Sequence, residues 1–130
     1  MKQSRYNTIL DSVLRLTNNT VFEIGTDFTF IEVYLGAPGD LLLEKDAFIG
    51  RTIMEVVPEG HWKMVQPFFE NAKTTGERIH FSYPSFIPGE ERWFTATLQF
   101  ISSGCEYPFY LLCVMDCTEQ KKVEASIRFQ

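Results

Sequence analysis

Residues 91–116 decide the reading of this chain: Glu91-Arg92-Trp93-Phe94-Thr95-Ala96-Thr97-Leu98-Gln99-Phe100-Ile101, then Ser102-Ser103-Gly104-Cys105-Glu106, then Tyr107-Pro108-Phe109-Tyr110-Leu111-Leu112-Cys113-Val114-Met115-Asp116. The two outer runs are rich in aromatic and β-branched residues, and the polar, glycine-containing segment between them is ordinary hairpin sequence. Successive strand residues point to opposite faces, so Phe94, Ala96, Leu98 and Phe100 share a face with Tyr110, Leu112 and Val114. The opposite face carries Trp93, Leu111, Cys113 and Met115. It is apolar too and needs a cover.

Moving toward the N-terminus, residues 77–86 give a third β run, joined to the first by Ile87-Pro88-Gly89-Glu90, so the last third of the chain reads as an antiparallel meander. Which parity of this strand faces inward stays open. Before it, Trp62, Val65, Phe68, Phe69 and Ala72 recur at helical spacing over residues 59–75, with Gly76 placed as a C-cap. Pro67 falls inside this helix and predicts either a kink or a start displaced toward it. Two further β runs, 20–24 and 28–34, flank Gly25-Thr26-Asp27 and predict a hairpin. Gly36-Ala37-Pro38-Gly39-Asp40 then breaks the pattern. Residues 41–48 have the composition of a short helix ended by Gly50, and Thr52 is placed to cap a brief helix over 53–57 that Pro58 stops.

At the start of the chain Tyr6, Ile9, Leu10, Val13 and Leu14 lie on one helical face, ended by Thr17-Asn18-Asn19-Thr20. This helix is the natural cover for the second sheet face, from the same chain or from a partner. At the other end, Val123 and Ile127 are spaced as in a helix that starts near Thr118. The order helix, two strands, short helices, long helix, three strands, exit helix predicts an α+β domain: a five-stranded antiparallel sheet with helices on one face and a cup between them.

With 130 residues, one domain over 1–130 is expected, divided into an N-terminal amphipathic helix (1–17), a core (20–117) and the start of an exit helix (118–130). The net charge of −5 comes with lysines and arginines scattered from Lys2 to Arg128, which supplies no basic stripe to neutralise phosphates, so nucleic acid is not an expected partner. The absence of a long apolar run argues against membrane insertion, and Met1-Lys2-Gln3-Ser4-Arg5 does not open a signal peptide. Cys113 and Cys117 on one strand would stand about 13 Å apart, too far to bridge. With Cys105 the count is odd and no C-x-x-C occurs, so reduced thiols in a reducing cytoplasm are expected.

No catalytic constellation is visible. His61 and His80 are the only histidines and neither sits in a recognisable motif; no phosphate loop or metal-ligand cluster is present. Glu90-Glu91 reads as a solvated pair at a hairpin tip. The competing enzyme class, a small cone-shaped α+β hydratase or isomerase, needs convergent buried acids, and this sequence offers aromatics in their place.

Four stretches resemble the PAS family of bacterial sensors. Asp27-Phe28-Thr29-Phe30-Ile31 is similar to its second strand and preceding turn, and Phe48-Ile49-Gly50-Arg51-Thr52-Ile53-Met54-Glu55-Val56-Val57-Pro58 to the segment leading into its long helix. Arg92-Trp93-Phe94 resembles the opening of its fourth strand, and Asp116-Cys117-Thr118-Glu119-Gln120-Lys121-Lys122 the Asp-x-Thr junction where the sheet passes into an output helix. The chain departs from many relatives at Tyr34-Leu35-Gly36, where they carry an Asn.

The resemblance implies a cytoplasmic, non-catalytic sensory module of a two-component-like signalling protein. A conformational bias would pass through Asp116 and Thr118 to an output domain in the same polypeptide, such as a histidine kinase or nucleotide cyclase. It assigns the face of Phe94, Ala96, Leu98, Tyr110, Leu112 and Val114 to the cup, roofed by Trp62, Val65 and Phe69. Side chains fill this cup in one reading; in the other it holds a small apolar or aromatic ligand oriented by His80, Ser82 or Tyr83. Haem-binding relatives place their histidine near the position of Val65, and His61 does not match. The reactive cysteine helix of photoactive flavin relatives has no counterpart either, so the cofactor is unknown. A homodimer through Tyr6, Ile9, Leu10, Val13 and Leu14 is the expected assembly, and a ligand-free dimerisation scaffold is the alternative function.

Overall fold

The computed structural model describes residues 2–17, 19–34, 45–85, 89, 91–104, 106–119 and 123. Its elements are α1 (Lys2–Thr17), β1 (Asn19–Gly25), β2 (Phe30–Tyr34), α2 (Lys45–Phe48), α3 (Ile53–Val56), α4 (Glu59–Thr75), β3 (Ile79–Pro84), β4 (Trp93–Ile101) and β5 (Phe109–Asp116). The strands form one antiparallel sheet in the order β2-β1-β5-β4-β3. The hairpin (β1–β2) and the three-stranded meander (β3–β4–β5) expected from sequence are therefore joined by the pairing of β1 with β5, which lie far apart in the chain.

Registers carry the inner face across the sheet. Ile24 stands opposite Tyr110, Phe22 opposite Leu112, and Leu112 opposite Leu98, so alternate residues of three strands share the face that α4 covers. From α4, Trp62, Val65, Phe69 and Ala72 are buried against it. The open parity of β3 is decided by pairing: Phe81 opposes Ala96 and Tyr83 opposes Phe94, which sends Ile79, Phe81 and Tyr83 inward.

β2 begins two residues later than expected because Phe28 takes left-handed backbone, φ 68°, and closes the turn. Its N–H donates to Gly25 O at 2.9 Å and its carbonyl accepts from Ile53 N at 2.9 Å. The turn is tight at Gly25, where a Cβ would come within 3.0 Å of Asp27 Oδ1. Phe30 N to Arg51 O and Gly50 N to Phe30 O then lash β2 to the segment before α3. A bulge after Glu23 absorbs Ile31, so that both Phe30 and Val33 stay buried.

The cap expected at Thr52 is a full capping box: Thr52 Oγ1 accepts from Glu55 N, and Glu55 Oε1 accepts from Thr52 N. α4 starts at Glu59, not near Pro67, and runs as one helix through that proline. Proline removes its own N–H bond and crowds the carbonyl one turn earlier, but the buried apolar residues on both sides of it, Trp62 and Val65 before and Phe69 and Ala72 after, keep the helix pinned to the sheet. Gly76, φ 70°, closes α4 as a left-handed C-cap, its N–H bonded to Ala72 O at 2.9 Å. Of the helix expected over 41–48, residues 41–44 lie outside the described residues, as does most of the exit helix beyond Glu119.

Phe69 is 1% exposed at the centre of this packing. Phe69→Ala is expected to lower unfolding stability by about 3–5 kcal/mol, from lost burial plus the cavity left behind; equilibrium urea denaturation against wild type measures it.

Candidate functional site

The space between α4 and the sheet is filled with rings. Phe28 lies 4.9 Å from Trp62, 5.7 Å from Phe69 and 5.8 Å from Tyr110, centroid to centroid, stacked on Tyr110 and edge-on to Phe69. Phe69 meets Tyr110 at 5.1 Å and Trp62 at 5.7 Å; Phe100 meets Tyr110 at 4.9 Å. These are the tilted and offset arrangements that aromatic quadrupoles favour, worth about 0.5–1.5 kcal/mol per pair beyond burial. The Tyr110 phenol is pushed above its ordinary value by burial and by the Glu70 carboxylate.

A second group of rings follows the β3 edge. Phe68 stacks on Phe81 at 4.3 Å, Phe81 neighbours Tyr83 at 6.0 Å, and Tyr83 stacks on Phe94 at 5.6 Å. Burial pushes the Tyr83 phenol strongly up, and nearby Cys117 adds to it, so this tyrosine stays neutral at physiological pH. Phe94, Ala96 and Val114 are the buried members of this cluster.

The second cluster ends at a polar junction. The Arg92 guanidinium lies 5.1 Å from the centre of the Phe94 ring. Its Nε and an Nη both donate to Asp116 Oδ2, at 3.1 and 2.7 Å. The other carboxylate oxygen, Oδ1, accepts from Thr118 N at 2.8 Å and from the Thr118 hydroxyl at 2.5 Å. Thr118 Oγ1 in turn accepts from Trp93 N at 2.9 Å, and Cys117 N donates to Trp93 O at 2.8 Å. One carboxylate thus ties the first residue of the exit segment to the start of β4. Desolvation pushes Asp116 up, but the bonds from Thr118 and Arg92, with the positive charge of Arg92, outweigh it and hold its carboxyl below the usual value.

Comparison with solved structures follows from this geometry. The PAS domain of BvgS from Bordetella pertussis superposes with a TM-score of 0.65 at 13% identity, over 93% of this chain and 93% of that one. The PAS domain of an HTR-like protein from Haloarcula marismortui gives 0.62 at 17%, over 88% and 94%. A sensory box sensor histidine kinase from Vibrio cholerae gives 0.62 at 16%, over 88% and 94%. The chain has the PAS fold. No protein-family model and no curated protein matches it.

Within the PAS fold the candidates separate. Trp62, Val65, Phe69, Phe94, Ala96, Leu98, Tyr110 and Val114 are buried on the inner side, and Leu112 and Tyr83 are half-buried there. His80 and Ser82 are not: strand parity puts them on the outer face, exposed, with His80 Nδ1 3.1 Å from Thr97 Oγ1. On α1, Leu14 is 4% exposed and unavailable to a partner, whereas Ile9, Leu10 and Val13 are exposed. The side chain of Tyr6 lies outside the described residues. α1 contacts the sheet at β1, and Trp93 and Met115 on the outer face keep 38% and 39% exposure, so the cover expected from this helix is partial. Cys113 and Cys117 are free thiols, and Cys105 lies outside the described residues. Among the described residues no group of three His, Cys, Asp or Glu converges as a metal site would, and no helix is long and apolar enough to cross a membrane.

Sequence reasoning missed Phe28, whose strand-like surroundings hide its turn conformation. It also missed Arg92 as the partner of Asp116, although both residues belong to motifs that were legible; only the β4–β5 register brings them together, with Phe94 opposite Asp116.

A depressed folded-state pKa contributes stability above the unfolded value near 3.8 that is lost as pH falls through the folded value. Asp116→Asn is therefore expected to be less stable than wild type at pH 7, with the gap closing as pH falls below the ordinary carboxylate value of 3.8. Urea unfolding of both proteins across this range reads it.

Proposed function

We propose that the chain is a sensory or regulatory PAS module of a larger signalling protein, and that it relays a change in the sheet through the segment beginning at Thr118 to an output domain in the same polypeptide. The observation that carries this reading is the divided carboxylate of Asp116. It is held by Arg92 at the start of β4 and itself holds Thr118, where the chain leaves the sheet. A shift between β4 and β5 cannot leave all of these bonds intact. Both charged side chains keep 30% of their surface, so the junction is partly screened and can rearrange at modest cost.

That several similar structures come from sensor histidine kinases supports a kinase as the output. The module itself is read as non-catalytic and cytoplasmic. Its input is a small apolar or aromatic molecule, or a partner, that prefers one of two sheet arrangements, and the bias is limited to the difference in its affinity for the two. In the full-length parent, Thr118→Val is expected to abolish the response of the output to its stimulus while this chain keeps its fold by circular dichroism. An unchanged response sinks the relay.

The module is also proposed to pair with a second copy. α1 carries apolar residues on more than one side: Leu14 packs inward while Ile9, Val13 and Leu16 face solvent, the last 84% exposed. Leu10→Glu with Val13→Glu is expected to convert the dimer to a folded monomer in multi-angle light scattering, and persistence of dimer mass refutes the α1 interface.

A further inference from the structure

The two edges of the sheet are finished differently. At β2 the chain closes its own edge: Phe30 N donates to Arg51 O, Gly50 N donates to Phe30 O, and Thr29 bridges to Thr52. At the other edge stands β3, paired on one side only. Ser85 N donates to Arg92 O at 2.8 Å and continues the β3–β4 register, while Cys117 N donates to Trp93 O, on the side of β4 that faces β5. Bonds alternate along an antiparallel pair, so Phe81 and Tyr83 direct their backbone groups to β4, and the N–H and C=O of His80 and Ser82 point away from the sheet. Among the described residues no backbone group bonds them from that side.

Edges of this kind are ordinarily blunted by charge, proline or a bulge. Residues 79–83 carry no Lys, Arg, Asp or Glu, and the register runs unbroken from Ile79 to Pro84, where the proline stops only the end of the strand. The side chains lack a neighbour as well. None of the six residues of β3 is buried, although Phe94, Ala96 and Leu98 on the adjoining strand are, and the stacked rings of Phe68 and Phe81 stay half-buried.

We propose that β3 is a docking edge for β3 of a second copy, paired antiparallel about a two-fold axis at Phe81. In this register the outward N–H and C=O of His80 meet those of Ser82 of the second copy, and the reverse, so each outward group has a partner. On the inner face Phe81 lies against Phe81 of the second copy and Ile79 against its Tyr83, aromatic and β-branched pairs of the sort that stabilise sheets. On the outer face Arg78 lies against Pro84 of the second copy. Sliding the pair by one step toward the start of β3 sets His80 against itself, and sliding it the other way sets His80 against Pro84, which has no N–H to give. The central register is therefore the one that the sequence of β3 supports. The contact is separate from pairing through α1, which packs at β1 on the other side of the sheet. Used together, the two contacts join dimers end to end. On the order of four net hydrogen bonds corresponds to a dissociation constant of about 1 mM, so the β3 contact is open at the micromolar concentrations of light scattering and closes where copies are crowded.

The test is isotope-filtered NMR on a mixture of labelled and unlabelled wild-type protein at about 1 mM. An intermolecular Hα–Hα contact between Phe81 and its copy is expected, together with amide shifts of His80 and Ser82 that move on twentyfold dilution. Pairing through α1 gives intermolecular contacts on α1 and none at Phe81, so the two interfaces are read separately. Ser82→Pro removes an outward N–H and leaves the bonds to β4 in place, as proline at a strand edge does. It is expected to abolish the Phe81 contact, whereas Ser82→Ala keeps it. No intermolecular contact at Phe81, or one that Ser82→Pro leaves unchanged, overturns the proposal. If Ser82→Pro does not fold, the wild-type measurement decides alone: absence of the Phe81 contact, or His80 and Ser82 shifts that ignore dilution, overturns it.

Discussion

A sheet whose inner face is lined with rings cannot stand in water, and the packing of α4 across that face is what the rest of the molecule depends on. Phe69 sits where α4 meets the middle of the sheet, touching Trp62 on its own helix, Phe28 from the turn and Tyr110 from β5. Large flat groups lose few degrees of side-chain freedom on burial and remove much area from water, so one 17-residue helix, with Phe48 and Ile53 from the short helices, forms a core against five strands. Position then follows from it: α3 is capped and tied to Phe28, β2 is lashed to the segment before α3, and α4 ends at Gly76 where β3 must begin.

Where the apolar interior stops, charge takes over. Phe94 belongs to the second ring cluster and lies under the Arg92 guanidinium, and Arg92 grips the carboxylate that holds Thr118. The interior and the exit of the chain are thus in direct physical succession. Packing resists gradual deformation, while a charged hydrogen-bonded junction with partial solvent access has discrete alternatives in water. The pairing of a stiff interior with a rearrangeable rim is what gives the relay reading its physical content.

Much of this was legible beforehand because it rests on local rules. Alternation in β4 and β5 placed Phe94, Ala96, Leu98, Tyr110 and Val114 on one face, helical spacing placed Trp62, Val65, Phe69 and Ala72 on another, and Thr52 and Gly76 marked helix ends. What failed did so where local rules compete. The composition of residues 28–34 is strand-like throughout, yet Phe28 is claimed by the turn; β3 is apolar on one parity and mixed on the other, so His80 and Ser82 could be assigned inward until Phe81 was seen opposite Ala96. Pro67 is tolerated because tertiary packing holds the helix on both sides of it.

The sequence by itself determined the elements, their order and the apolar faces of α4, β4 and β5, since these follow from periods of two and 3.6 residues and from caps that act within a few positions. Only the tertiary structure decided which strands are neighbours, which parity of β3 is inside, that Arg92 meets Asp116, and that Phe28 bears a ring into the core from a left-handed turn. Each of these depends on contacts between residues distant in the chain, whose energies exist only once the sheet has closed between β1 and β5.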